Sequence, residues 1–146
     1  MRRFRHVFTV ALLLGFALPA AANEIRAIDG DTIVIDQVRY RLLGIAAPDK
    51  PKDAKDRATA VMIELLAVGG VSCQPTGRKS YNRLEARCSN SKGDLAGQMV
   101  SRGFALDWRK YSGGAYAPQE NAARNAKIGL WSLGYEPTSN PNALSR

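Results

Sequence analysis

The stretch Ile28-Asp29-Gly30-Asp31-Thr32, followed one apolar alternation later by Arg41-Leu42-Leu43-Gly44-Ile45-Ala46-Ala47-Pro48-Asp49, decides how this chain folds. Glu24 to Ile28 and Thr32 to Ile35 are rich in strand formers and are joined by the Asp29-Gly30 turn. Asp36-Gln37 makes a second short turn into Val38 to Leu43, where Val38, Tyr40 and Leu42 alternate with Arg39, Arg41 and Leu43. The first third of the chain therefore reads as a β-meander. The same stretch sets two carboxylates in a glycine-centred turn, then a guanidinium, then one more acid after a proline. That is equipment for gripping a hard cation and a phosphate diester.

Working outward, Lys50 to Asp56 reads as a charged, proline-bearing loop that ends in a helix start. Ala58, Val61, Met62, Leu65 and Leu66 then recur at helical spacing, and Gly69-Gly70 stops that helix. Two more strands, Val71 to Gln74 and Leu84 to Cys88, flank a turn-rich region from Pro75 to Asn82. Asp94 suits the N-cap of a short helix carrying Leu95, Met99 and Val100 and ended by Gly103. Phe104 to Trp108 reads as extended and Ser112-Gly113-Gly114 as a loop. Pro118 fits the first position of a last helix bearing Ala122, Ala123 and Ala126, with Trp131 folding back as a core plug. About five strands clustered ahead of about three helices suit an α+β chain with a mainly β core. The architecture expected is an OB-fold, a five-stranded Greek-key barrel, rather than a sandwich or a Rossmann layout.

Composition narrows the chemistry. The 146 residues carry 21 Lys and Arg against 13 Asp and Glu, for a net charge of +8. Residues 1–22 read as an export signal, with Arg2, Arg3 and Arg5 ahead of the apolar run Val7 to Leu18 and a small-residue cleavage site at Ala20-Ala21-Ala22. That run is too short to span a bilayer comfortably, and nothing later is long enough. The expectation is one exported domain, periplasmic or secreted, without stable membrane insertion once the signal is removed, and monomeric. Three arginines and no acid leave with the signal, so +8 becomes +5. A basic surface favours an anionic partner such as nucleic acid or an acidic membrane, although plain solubility explains the charge about as well.

The only histidine is His6, inside the signal. Histidine zinc sites, Ser-His-Asp triads and Cys-His dyads are thereby excluded from the mature chain. Catalysis, if present, must use carboxylates, arginine, lysine, tyrosine or a metal held mainly by oxygen. Cys73 and Cys88 are the only cysteines, and in an oxidising compartment an even pair reads as a disulfide.

Further anchors make the pattern specific: Tyr81-Asn82-Arg83, Gly103-Phe104-Ala105 and Gly129-Leu130-Trp131-Ser132, in order after the opening stretch. With them the chain resembles the thermonuclease family, the staphylococcal-nuclease-like domains, from about Ile25 to Ser132. The domain is placed at 23–133, and 134–146, rich in Pro, Ser and Asn, reads as a disordered tail. The resemblance implies an OB-fold enzyme that cleaves phosphodiesters of DNA and RNA with one calcium ion. It implies Asp31 as a direct metal ligand, with Asp29 shaping the turn and the outer shell. Arg41 and Arg83 would hold the phosphate oxygens, for which planar guanidinium is suited. Asp49 would orient or deprotonate the attacking water, and Tyr81 and Tyr111 would line the nucleotide pocket. Lys79 could approach a phosphate, although the family often has an acid there. Asn82 replaces a usual glycine and is the next best residue for a left-handed turn.

The departure lies at Ile45-Ala46-Ala47-Pro48-Asp49, where the family reads Ile-Asp-(Thr or Ala)-Pro-Glu. Ala46 removes a metal carboxylate. Asp49 is one methylene short, and a displacement of about 1 Å can cost a base ~100-fold in rate. Three readings stay open: a slow exported nuclease with weak or lost calcium binding, an inactive OB module that binds single-stranded nucleic acid or another polyanion, and an interaction domain that keeps only the scaffold. Each residue also has a bland role: a tight turn for Asp29 to Asp31, surface charge for the arginines, barrel-edge cover for the tyrosines.

Overall fold

The computed structural model describes residues 24–138 and 140–145, so the expected export signal lies outside the described residues. Among the described residues ten strands form: β1 Ile25–Asp29, β2 Thr32–Ile35, β3 Val38–Leu42, β4 Ile45–Ala46, β5 Ser72–Ser80, β6 Arg83–Asn90, β7 Gly93–Asp94, β8 Leu106–Asp107, β9 Glu136–Pro137 and β10 Leu144–Ser145. The helices are α1 Lys52–Ala67, α2 Leu95–Ser101, α3 Arg109–Ser112 and α4 Ala117–Asn125, with a 3₁₀ turn at Gly129–Leu133. The main sheet has six strands in the order β1-β2-β3-β6-β5, with β7 added to β6. Its five long members carry the expected Greek-key OB order. The meander β1-β2-β3 is antiparallel, the chain crosses over through α1, and β6 returns parallel to β3. A parallel pair needs such a long crossover, and here a helix supplies it.

Local chemistry explains the meander. β2 is Thr-Ile-Val-Ile, β-branched throughout, and its first three residues are buried at the centre of the sheet. The expected apolar stripe of α1 is the core face: Ala58, Val61, Met62 and Leu65 are buried with Ile33, Leu42, Ile45, Leu95, Met99 and Val100. Gly30 holds the Asp29–Asp31 turn against this core. A Cβ there would lie 2.6 Å from Ala47 Cβ and 2.8 Å from Ala58 Cβ, so only glycine lets the turn approach both. Gly103 and Gly129, both left-handed, form a second close approach. A Cβ on Gly103 would stand 2.2 Å from the Ile128 carbonyl, and one on Gly129 would stand 2.3 Å from the Arg102 carbonyl.

Five expectations need correction. α1 begins at Lys52, so Lys50 to Asp56 is mostly helix; Pro51 is extended at the N-cap, Asp53 sits in the first turn and Lys52 pairs with Asp56 at 2.5 Å. Pro75 to Ser80 belongs to β5, with irregular register between Pro75 and Lys79, and Tyr81-Asn82 alone make the turn. Tyr81, at φ 57°, takes the left-handed conformation assigned above to Asn82. A fourth helix, α3, occupies the residues just before Gly113.

The fifth correction concerns the expected disordered tail from residue 134. Tyr135 is 1% exposed and packs with Ala54 and Leu130, its hydroxyl bonded to Asp53. Beyond it β9 and β10 pair antiparallel. The polar residues that suggested disorder close the connecting turn instead. Thr138 Oγ1 bonds the carbonyls of Asn140 and Ala143, and the Asn142 amide donates to Asn140 Oδ1.

Cys73 and Cys88 are register partners on β5 and β6 and form a disulfide. The bond ties the outer strand of the sheet to its neighbour, across a sequence separation of 15 residues. Replacing both cysteines by serine should lower the free energy of unfolding by about 3 kcal/mol, the loop-closure value for a ring of this size. Urea titration of the two proteins measures the difference directly, and an unchanged midpoint would mean that the sheet holds β5 without the bond.

Candidate active site

The carboxylates come from the turn between β1 and β2, and the guanidiniums from strands that the sheet topology sets side by side. Thr32 on β2 is in register with Arg41 on β3, and Arg41 is in register with Glu85 on β6, two residues from Arg83. All eight expected residues, Asp29, Asp31, Arg41, Asp49, Lys79, Tyr81, Arg83 and Tyr111, border one cavity of about 430 Å³. The structure thus brings the whole expected set together, although in unequal settings.

Asp31 is the centre. It is 4% exposed, and Oδ2 receives both Arg41 Nη2 at 2.9 Å and the Ala47 amide at 2.7 Å. Its other oxygen accepts the Thr32 hydroxyl at 3.2 Å. That hydroxyl in turn receives Arg83 Nη1 at 3.2 Å. A continuous chain of bonds therefore runs Arg83–Thr32–Asp31–Arg41 and ties both guanidiniums to one carboxylate. Asp29 shapes the turn as expected, with Oδ1 accepting the Asp31 amide at 3.0 Å.

The arginines differ. Arg41 is 8% exposed and also donates to the Leu42 carbonyl at 3.0 Å. Arg83 is held only by neutral groups, Thr32 Oγ1 and the carbonyl and hydroxyl of Ser80. Its charge faces the cavity with no carboxylate partner among the described residues. Asp49 is exposed, Tyr81 is 94% exposed, and both border the cavity. Tyr81 is therefore no barrel-edge cover.

Sequence reasoning missed four lining residues. Arg78 and Glu85 pair at 2.6 Å on the β5–β6 wall. Trp108 meets Tyr111 edge-on with ring centres 4.6 Å apart and lies 5.8 Å from the Arg41 guanidinium carbon. Asn142 arrives from the C-terminal hairpin. The Arg41 to Glu85 register could be inferred only from a parallel β3–β6 pairing, and the Asn142 position from nothing local.

Residues 39–133 match the family described as staphylococcal nuclease homologue. Two relatives named "Uncharacterized endonuclease", from Escherichia coli O157:H7 and Escherichia coli, are each 36% identical over 114 residues, which is 74% of this chain and 74% of theirs. The "Succinoglycan biosynthesis protein ExoI" of Rhizobium meliloti (strain 1021) is 28% identical over 121 residues, 75% of this chain and 63% of its own length. The chain belongs to the staphylococcal nuclease family, and the endonuclease-named relatives support a nuclease.

The calcium ion implied by the family was tested against the donor set. Calcium takes six to eight oxygens, several of them carboxylate. Here both oxygens of Asp31 are engaged, and the Ala47 carbonyl already accepts Asn142 Nδ2 at 2.8 Å. Ala46 is fully buried beside a small apolar cavity shared with Leu130, Trp131 and Tyr135, surroundings that disfavour a charge. Among the described residues no three acids, histidines or cysteines group to hold a metal. These residues do not fit a resident calcium with several carboxylate ligands.

Burial pushes the Asp31 carboxyl up to about 7, against the opposing pull of Arg41 and with a further rise from Asp29. Because the folded value lies above the model 3.8, the native fold takes up this proton. Its contribution to stability is complete below 3.8 and is lost as pH rises through about 7. The Asp31 carboxyl carbon should accordingly titrate by NMR with a midpoint near 7, and a midpoint below 5 would show that Arg41 outweighs desolvation.

Proposed function

We propose that this protein is an exported, monomeric endonuclease that hydrolyses phosphodiester bonds of single-stranded DNA or RNA. The observation that carries the reading is Arg83, a guanidinium without a carboxylate partner among the described residues, bordering a cavity and linked through Thr32 and Asp31 to a second guanidinium, Arg41. Such a pair offers fixed positive charge to a diester whose charge grows in the pentacoordinate transition state. Each guanidinium carries five N–H donors. Arg41 spends two on Asp31 and Leu42 and keeps the rest for phosphate.

In this mechanism Arg83 and Arg41 hold the non-bridging oxygens. Asp49 takes a proton from water, the water oxygen bonds to phosphorus, and the ester bond on the far side breaks. The leaving oxygen recovers a proton from solvent. Tyr81 and the Trp108–Tyr111 pair offer aromatic faces to unpaired bases, which supports single strands over duplex. Because both Asp31 oxygens are already engaged, calcium would be held weakly by this chain, and no step above uses a metal. Export is supported by the Cys73–Cys88 disulfide, which belongs to an oxidising compartment. No helix of the described residues is long and apolar enough to cross a membrane.

One observation favours a second reading, a polyanion-binding module without catalysis: the Arg41–Asp31 pair closes on itself at 2.9 Å. A fluorogenic single-stranded oligonucleotide, with and without chelator, separates the two. The nuclease reading expects cleavage that falls 10²–10³-fold in Arg83→Ala, the usual loss for one donor to a developing anion, and that is abolished in Arg41→Ala. Binding that weakens steeply with salt, without any cleavage at millimolar calcium, would establish the module instead.

A further inference from the structure

The geometry points to Asn142 as a positioning residue of the hydrolytic site, delivered to the cavity by the C-terminal hairpin. The inference rests on the nuclease reading and extends it to a segment outside the matched residues 39–133. Asn142 Nδ2 donates to the Ala47 carbonyl at 2.8 Å, and the Asn142 carbonyl accepts the Asp49 amide at 2.6 Å. The Leu144 amide adds a bond to the Lys50 carbonyl at 2.9 Å. One residue of the hairpin therefore grips the main chain on both sides of Pro48.

The loop needs that grip. Pro48 has no amide hydrogen, so the centre of the segment cannot hold itself by its own N–H. Ala46 and Ala47 bring no polar side chain. The Ala47 peptide is clamped from one side by Asp31 Oδ2, which accepts its amide at 2.7 Å, and from the other by Asn142, which bonds its carbonyl. Asp49 has a short side chain, so the place of its carboxylate follows the place of its Cα. Its exposed carboxylate takes no hydrogen bond or ion pair from any described residue. Hence the grip of Asn142, by its side chain on the Ala47 carbonyl and by its own carbonyl on the Asp49 amide, is what aims it at the cavity. The hairpin itself is seated by the buried Tyr135, its bond to Asp53, and an ion pair of Arg124 with Glu136 at 3.0 Å.

The test uses the full chain with Asn142→Ala, which removes the side-chain bond, and Asn142→Asp, which keeps the shape but sets an acceptor against the Ala47 carbonyl. Turnover and KM on a single-stranded oligonucleotide are measured where circular dichroism shows all three proteins folded. Hydrogen exchange of the Asp49 and Lys50 amides is followed in parallel. The expectation is a kcat lower by 10- to 100-fold, the scale of a misplacement of about 1 Å, with KM unchanged because Arg83 and Tyr81 are untouched. Exchange at Asp49 and Lys50 should quicken while β2 and β3 stay protected. A merely structural role would lower the melting temperature and leave kcat of the folded variants alone, and that result, or a change confined to KM, overturns the inference. A wild type that cuts nothing overturns the nuclease reading and this role with it. An active wild type with kcat unmoved in both variants overturns this role only.

Discussion

Everything at this site hangs on a carboxylate taken out of water. Asp31 is buried beneath the β1–β2 turn, and a buried charge must be met on every side or neutralised. Its environment does both: Arg41, Thr32 and the Ala47 amide satisfy its oxygens, while burial raises its proton affinity. Each partner is thereby placed with respect to the others. Arg41 is held at the cavity wall, Thr32 passes the constraint to Arg83, and Ala47 passes it to the loop that carries Asp49. Gly30 makes the arrangement sterically possible, since any side chain there would push Ala47 away.

The same network explains how the chain accommodates Ala46. A carboxylate at that position would stand against Leu106 in the β4–β8 pair and beside an apolar cavity. With alanine there, the apolar packing continues unbroken from Ile45 to Ala47. Of the eight formally charged side chains that border the cavity, Arg41 and Arg78 are committed to Asp31 and Glu85. Arg83 and Lys79 are not paired with a carboxylate among the described residues, so the positive charge open to a phosphate lies on the β5–β6 side. The aromatic faces of Trp108 and Tyr111 lie toward the β3–β4 connection, where Gly44 accepts the Trp108 amide at 2.8 Å. The unpaired positive charge and the aromatic faces therefore lie on separate walls of the cavity.

Much of this was legible in one dimension because the operative features are local. The Asp-Gly-Asp turn, the alternation through Arg41 and the stripe of α1 each follow from spacing within a few residues. The disulfide was legible from cysteine count, since no other pairing exists. Two of the misreadings share a cause as well. Lys50 to Asp56 looks like a loop because proline and charge dominate it, yet the docking of Ala54 and Ala58 in the cores makes it helix. Pro75 to Asn82 looks like a turn because of Pro75 and Gly77, yet pairing with β6 holds Pro75 to Ser80 in the strand. Tyr81 takes the left-handed corner although Asn82 has the better intrinsic preference. In the first two cases a tertiary contact outweighed a local propensity of a few tenths to about 1 kcal/mol; nothing in the structure explains the third.

The amino-acid sequence by itself determined the fold family and the identity of the charged residues, because periodicity, turn residues and composition are properties of the chain in order. Only the tertiary structure decided which charges meet. Asp31 and Arg41 were each readable as ligands, but their burial against one another is set by the β2–β3 register. Asn142 was readable only as part of a polar tail. Its place at Ala47 depends on Tyr135 finding the core far from it in sequence, and long-range burial of that kind leaves no signature in the residues it brings together.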